Sequence, residues 1–396
     1  MNDPKTPEGF LRELRARAHA CAESFGNSHD HGEGEAAMRA ALAALARANL
    51  VGFAVAPSRG GCHHGGLCGD DRPSVRAMSA LRDELAYGDG LLDLAFVMQG
   101  LGSYPLQLGG RGAWAHAKLR QVASGDAIAA YGLTEPGAGS SLDEIATRAE
   151  RDGDAWVLDG HKTFISNAGV ADFYCVLART QGDPGDRAPD QLTMFYVPKD
   201  SPGLRAEPFD VIAPHPIGDV FLEGVRVDDD ARLGEVGGGL DLALATLARF
   251  RTLSVRRPTG FVHATPPPRV GRLSRRHQFG KPLGANQGLR FDLAEMDARL
   301  RAAQLLVDEA ARLSDADDAG AARAVARAKL VATGRHGGWI CDRAVQHHGG
   351  LGVKRGQIVE ELFREVRALR IYEGASEIQR LILGKLVLSE GAQPPR

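Results

Sequence analysis

The sequence predicts a mainly α-helical protein with a β domain inserted between two helical regions. Three observations carry this. Apolar residues recur at helix-like spacing up to about residue 123. Short β-rich runs broken by Gly, Pro and Asp fill residues 124 to 236. Helical spacing then returns from 237 to the end at 396. The expected domains are therefore 1–123, helical; 124–236, β; and 237–396, helical.

In the first region Ala41, Leu42, Leu45 and Ala46 form one helical stripe, and Leu81, Leu85 and Leu92 continue the pattern. A Gly-rich stretch from Pro57 to Pro73 interrupts it. In the second region Trp156-Val157-Leu158, Asp159-Gly160 and Thr163-Phe164-Ile165 read as two short strands around a hairpin turn. Phe173–Ala178 and Leu192–Val197 are further β-rich runs. In the third region Leu289, Leu293, Met296 and Leu300 make one stripe. Ile378, Leu381, Ile382 and Leu386 make another, preceded by Ser376-x-x-Gln379, a capping-box pattern. There is no internal repeat.

Composition narrows the function. Apolar residues are 43% and charged residues 25%, with a formal net charge of −2. That balance speaks against a polybasic nucleic-acid surface. No apolar run reaches the 18 or so residues a membrane span needs. The polar N-terminus shows no signal peptide. Five scattered cysteines are no disulfide framework and favour a reducing compartment. A cytoplasmic enzyme, binding neither nucleic acid nor membrane, is the expectation.

Five segments carry chemistry. Tyr131–Ser141 (Tyr-Gly-Leu-Thr-Glu-Pro-Gly-Ala-Gly-Ser-Ser) offers hydroxyls at Thr134 and Ser140. Glycines at 137 and 139 let backbone N–H groups approach a phosphate or flavin. His161–Gly169 sets Phe164 near Ser166, an aromatic and a hydroxyl on one strand. Arg276–Leu283, with Gln287, is expected to open a long helix, with Arg276 as a bidentate cation for a pyrophosphate. Gln346–Gly352 is a Gly-rich corner between helices. Ile371–Arg380 places Glu373 in a loop between apolar stripes, where a dry carboxylate can act as a base. Taken singly, the first reads as well as a surface turn, and the second, third and fifth read more readily as a half-buried strand, a solvated arginine and a loop charge.

Together, in order and spacing, they resemble the acyl-CoA dehydrogenase family, from about Gly52 to Val387. The resemblance implies a helical domain, a middle β domain and a C-terminal four-helix domain. It also implies FAD, a homotetramer or dimer, an acyl-CoA or acyl-carrier-protein substrate, and an electron-transfer flavoprotein as acceptor. Carried over residue by residue, Tyr131, Leu133 and Thr134 lie along the flavin ring, and Gly139 and Ser140 near the pyrophosphate. Phe164 stands where many members have Trp, and Ser166 where a Thr bonds flavin N5. Arg276, Gln278, Phe279 and Gln287, with Gln346, Gly349 and Gly350, meet FAD, in part that of a neighbouring subunit. Glu373 matches the base that removes the α-proton while the β-hydrogen leaves as hydride. Some members carry the base just before an arginine on a helix; here that position is Phe250. Arg251 then remains to steer the Glu373 loop.

Three features depart from the family pattern. Residues 253–274, with Pro258 and Pro266–Pro268, oppose the regular helix expected there and predict a broken one. Ile212-Ala-Pro-His-Pro-Ile217 replaces an Arg/Ser/Thr-containing stretch near the substrate. Cys62-His63-His64 and Cys68, with His29 and His31 nearby, imitate a zinc site, but the family uses no metal and none is expected. Two rival readings stand beside the dehydrogenase: an acyl-CoA oxidase that passes electrons to O₂, and a degenerate, non-catalytic flavoprotein homologue.

Overall fold

The computed structural model describes residues 6–26, 34–186, 189–213, 215–263 and 273–391. Five helices come first: α1 (Pro7–Gly26), α2 (Gly34–Arg47), α3 (Val75–Gly88), α4 (Gly90–Gly109) and α5 (Gly112–Ser124). Ala41, Leu42, Leu45, Leu81, Leu85 and Leu92 are all buried, as their spacing requires. The Gly-rich stretch ends where Ser74 caps α3, its Oγ accepting from the Ala77 N–H at 3.2 Å.

Eight strands follow in one sheet: β1 (Ala129–Gly132), β2 (Arg148–Asp152), β3 (Ala155–Ser166), β4 (Phe173–Arg179), β5 (Leu192–Pro198), β6 (Leu204–Pro208), β7 (Ile217–Asp228) and β8 (Arg232–Leu233). Their order is β6-β7-β3-β2-β4-β5-β8, with β1 parallel to β4. β4 is buried along its whole length, which explains its unbroken apolar run.

The expected hairpin at Asp159-Gly160 is not formed. β3 runs continuously from Ala155 to Ser166, and its register against β7 slips between Leu158 and Gly160. The pair is a β-bulge, not a turn. Gly160 is required because a Cβ there would lie 2.3 Å from Thr147 Oγ1.

The chain then returns to helix: α6 (Gly239–His263), α7 (Gln287–Asp315), α8 (Ala321–Lys329), a π-helical stretch (Leu330–Gly338), α9 (Trp339–His348), α10 (Ile358–Ala368) and α11 (Ser376–Gly391). Met296 and Leu300 of α7 pack with Ile340, Cys341 and Ala344 of α9 and with Val359, Leu362 and Val366 of α10. Asp315, ending α7, accepts from Ser74 Oγ and the Val75 N–H, each at 2.7 Å, and from the Arg76 N–H at 3.1 Å. A carboxylate from the last third of the chain thus caps α3 in the first.

Three helical expectations change. The backbone of α6 stays helical through Pro258 to His263, so the break expected there is absent; residues 264–272, with the Pro266–Pro268 run, lie outside the described residues. Arg276 does not open the long helix. β9 (His277–Gln278) and β10 (Lys281–Pro282) form a small hairpin, and α7 begins only at Gln287. The turn uses Phe279 at φ 54° and Gly280 at φ 76°, left-handed conformations that suit a two-residue hairpin. Finally, the capping box is not made. The Ser376 N–H goes to the Arg370 carbonyl, and Gln379 sends its amide to the Gly374 carbonyl at 2.9 Å.

Candidate active site

The two β-domain motifs are joined by a buried ion pair. Lys162 Nζ lies 2.6 Å from Glu135 Oε1 and 3.2 Å from the Leu133 carbonyl. Glu135 also accepts the N–H groups of Ala146 at 2.7 Å and Thr147 at 3.0 Å. The Thr163 N–H adds a bond to the Thr134 carbonyl at 2.9 Å. Burial pushes the Lys162 ammonium down to about 8. Burial also opposes ionisation of Glu135, but Lys162 and the surrounding donors outweigh it and hold the carboxyl below its usual range.

This framework fixes the residues expected to meet a flavin. Tyr131 and Leu133 are buried, and the Tyr131 hydroxyl donates to the Ala243 carbonyl of α6 at 3.4 Å. Phe164 is thrown outward by a second register slip of β3, between Lys162 and Ile165. It stands at φ 54° and is 61% exposed, edge-on to Phe209 at 5.3 Å. A non-glycine residue held there stores backbone strain, which concentrates at functional positions. Ser166 Oγ lies 2.7 Å from His215 Nε2. The loop bearing His215 is tied to α10, where Arg364 donates to the Ile212 carbonyl at 2.6 Å.

These residues pass a test for fit to FAD. A Cβ at Gly137 or Gly139 would meet no atom within 4 Å, so the backbone there borders open space. Ser140 is exposed beside it and Thr134 partly so. The donor set is an open backbone cradle with hydroxyls, next to an exposed aromatic face. That suits a diphosphate and a planar ring.

A second cluster sits on the last helices. Arg276, Gln278, Phe279 and Gln287 are all exposed, Phe279 at 96%. Gln346 lies in the last turn of α9, and a Cβ at Gly349 or Gly350 just beyond would again meet nothing. His347 Nε2, 2.9 Å from Asp292 Oδ2, ties α9 to the start of α7 and so holds this cluster together.

The third group surrounds Glu373. Arg251 Nε donates to the Glu373 carbonyl at 2.9 Å. Lys329 Nζ donates to the Tyr372 carbonyl at 2.8 Å, and Gln379 holds that of Gly374. Glu373 stands at φ 53°, with its Oε2 buried and without a hydrogen bond. Burial lowers the Arg251 guanidinium, and Glu373 raises it part of the way back. Phe250, the alternative base position, is fully buried, 5.4 Å from the Tyr104 ring.

Lys162, Glu135, His347, Lys329 and the bond from Gln379 to the Gly374 carbonyl escaped the sequence reading. One signal was present: Val325, Ala328, Lys329 and Ala332 share a helical stripe, so Lys329 is a cation on an apolar face. The thiol–imidazole cluster shows one close pair, Cys68 Sγ and His64 Nδ1 at 3.5 Å. No three potential ligands converge among the described residues, and His29 and His31 lie outside them.

Known proteins resemble this chain along most of its length. The family model described as acyl-CoA dehydrogenase, middle domain, matches residues 130–225, and that described as acyl-CoA dehydrogenase, C-terminal domain, matches 237–388. A 3-(aryl)acrylate reductase of Clostridium sporogenes is 32% identical over 329 residues, 82% of this chain and 85% of that one. A caffeyl-CoA reductase–Etf complex subunit of Acetobacterium woodii is 32% identical over 293 residues, 72% and 75% of the two chains. The structure of butyryl-CoA dehydrogenase from Megasphaera elsdenii superposes with a TM-score of 0.84 at 26% identity, covering 95% of this chain and 98% of that one.

Proposed function

The chain belongs to the acyl-CoA dehydrogenase family of oxidoreductases acting on CH–CH groups, and on that premise we propose that it converts an acyl thioester to its 2-enoyl thioester with Glu373 as the base. The observation that carries this reading is the Glu373 loop. Its carbonyls are held by Arg251, Lys329 and Gln379, and its carboxylate keeps one buried oxygen unpartnered.

FAD is the cofactor. Tyr131, Leu133, Thr134, Gly139, Ser140, Phe164 and Ser166 hold it from one chain. Arg276, Gln278, Phe279, Gln287, Gln346, Gly349 and Gly350 hold it from the second cluster, in part across to a neighbouring copy. Bound there, FAD supplies the acceptor for the β-hydrogen, which leaves as hydride. Glu373 takes the α-proton, the freed electron pair forms the new double bond, and the Glu373 N–H donates to the thioester carbonyl as its oxygen gains charge. Phe164 walls the ring site and excludes water on its exposed side. A site shared between copies makes the protein a homo-oligomer, a tetramer or dimer. Five free thiols favour the cytoplasm, and an electron-transfer flavoprotein is the proposed acceptor.

The reductases among the relatives favour a second reading, the reverse reaction on an enoyl or arylacrylyl thioester, with Glu373 delivering the proton. Anaerobic titration of the purified yellow protein with a panel of acyl-CoAs and acyl-carrier proteins tests the first reading. Bleaching of the flavin by one of them is expected, and no bleaching by any overturns it. Rapid reoxidation of bleached protein by air identifies an oxidase. Steady-state turnover of an enoyl-CoA with a reduced electron donor that outpaces oxidation of the matching acyl-CoA identifies the reductase direction.

A further inference from the structure

We propose that Lys329 is a positioning residue that aims the backbone N–H of Glu373 at the carbonyl oxygen of the bound thioester. The inference rests on the reading of Glu373 as the base and deepens it. Lys329 ends α8 and is 1% exposed. Its Nζ holds the Tyr372 carbonyl. That carbonyl and the Glu373 N–H belong to the same peptide unit. In a trans unit the two groups point in opposite directions, and no cis peptide occurs among the described residues. Anchoring the oxygen on one side therefore fixes the direction of the hydrogen on the other.

Arg251 fixes the next unit by the same means, through the Glu373 carbonyl. Glu373 is thus held at its left-handed φ between two peptide planes, each pinned by a cation, Lys329 buried and Arg251 half-buried. Without the pins, a non-glycine residue would relax toward a commoner conformation and swing the N–H away.

Charge adds to geometry. A cation on the carbonyl polarises the peptide and makes its N–H a stronger donor. That donor counts most when negative charge develops on the thioester oxygen during α-proton removal. A lysine buried only to fill space is a costly choice, since methionine occupies similar volume without desolvating a charge. Burial does depress the Lys329 ammonium, to about 8, with Glu373 raising it and Arg251 and Arg82 lowering it; it remains protonated near pH 7. Immediately after Lys329 the helix widens into π-geometry, a feature frequent at functional sites, and Thr333 Oγ1 donates back to the Lys329 carbonyl at 2.7 Å.

The test compares the holoenzyme with Lys329→Met, Lys329→Arg and Glu373→Gln. The probe is the 3-thia analogue of the best acyl-CoA, which has acidic α-hydrogens and no β C–H to lose. Mass spectrometry follows exchange of its α-hydrogens with D₂O, alongside flavin-to-protein ratio and thermal midpoint. Lys329→Met should slow exchange about tenfold or more, since misaiming an oxyanion donor costs less than the roughly 10²–10³ lost when one is removed outright. Its flavin ratio and midpoint should stay near wild type, and Lys329→Arg should recover most of the rate. Wild-type exchange in Lys329→Met, with Glu373→Gln silent, overturns the role of Lys329 alone. Exchange lost only together with flavin and midpoint also overturns it, as a structural effect. Near-normal exchange in Glu373→Gln overturns the base and this proposal with it. If Lys329→Met does not fold, Lys329→Gln, which keeps a neutral donor, is judged by the same criteria.

Discussion

At the residue scale, the buried pair Lys162–Glu135 shows how one contact organises two motifs. Each charge is satisfied by the other and by backbone groups. Lys162→Met leaves the Glu135 carboxylate buried opposite a methyl group. It should cost ~3–5 kcal/mol, the range for breaking a buried pair by removing one partner. Lys162→Met combined with Glu135→Gln should recover part of that loss, because the stranded charge is gone. Urea unfolding of the four proteins checks this as a double-mutant cycle. A double variant whose loss equals the sum of the two single losses would show that the pair does not couple the motifs.

Two elements make separate predictions. In α6, Pro258 sits inside a continuous helix. A proline there removes one backbone bond and carries a penalty of ~3 kcal/mol relative to alanine. Pro258→Ala should therefore raise the thermal midpoint, and hydrogen exchange across 253–263 should slow. No gain in either measurement would mean that the helix already absorbs the proline without strain. The junction of α2, β1 and β4 turns on Asp172. It accepts the Ile128 N–H at 2.8 Å and Arg39 at 3.0 Å, with Lys199 at 3.2 Å. Burial opposes its ionisation, but the Ile128 N–H, Arg39 and Lys199 outweigh that and hold its carboxyl below the usual range. A depressed folded pKa means that the unfolded chain binds the proton first as pH falls. The stabilisation is therefore complete above the unfolded carboxylate value of about 3.9 and is lost as pH drops through the lower folded one. Asp172→Asn should lower stability at pH 7 and flatten the acid limb. A denaturation series from pH 7 to pH 2 that gives parallel curves would contradict this.

On the scale of the whole molecule, the proposed reaction centre takes part of its flavin-binding residues from a neighbouring copy. Arg276 and Phe279 are exposed on the small hairpin, where they are proposed to meet the flavin of a neighbouring copy. Arg276→Ala should weaken flavin retention by roughly ten- to a hundredfold, the ~1.5–3 kcal/mol expected for a hydrogen bond to a charged group. The variant should leave a gel-filtration column paler and smaller. An unchanged flavin-to-protein ratio at unchanged mass would show that Arg276 does not grip the cofactor. The exposed stripe of α11, with Leu381 60% exposed, fits the same picture of a chain that buries apolar surface against another copy.

By itself the sequence determined the helix–sheet–helix order, the buried stripes of the first helical region and the motifs that place the chain in its family. These depend on local periodicity and on spacing along the chain, which one strand of text displays. Only tertiary structure decided the rest. Asp159-Gly160 spells a turn by local preference, yet Thr147 packs against it and the strand runs straight through. Ser376 and Gln379 spell a capping box, yet the carbonyls of Arg370 and Gly374 lie closer and take both donors. Lys162 and Lys329 carry ordinary surface-residue chemistry in sequence; burial beside Glu135 and beneath the Glu373 loop gives each its task. The physical reason is common to the capping residues and both lysines. A polar group settles where its hydrogen bond is satisfied with least desolvation, and which partner is near is a property of the folded chain, not of its neighbours in sequence.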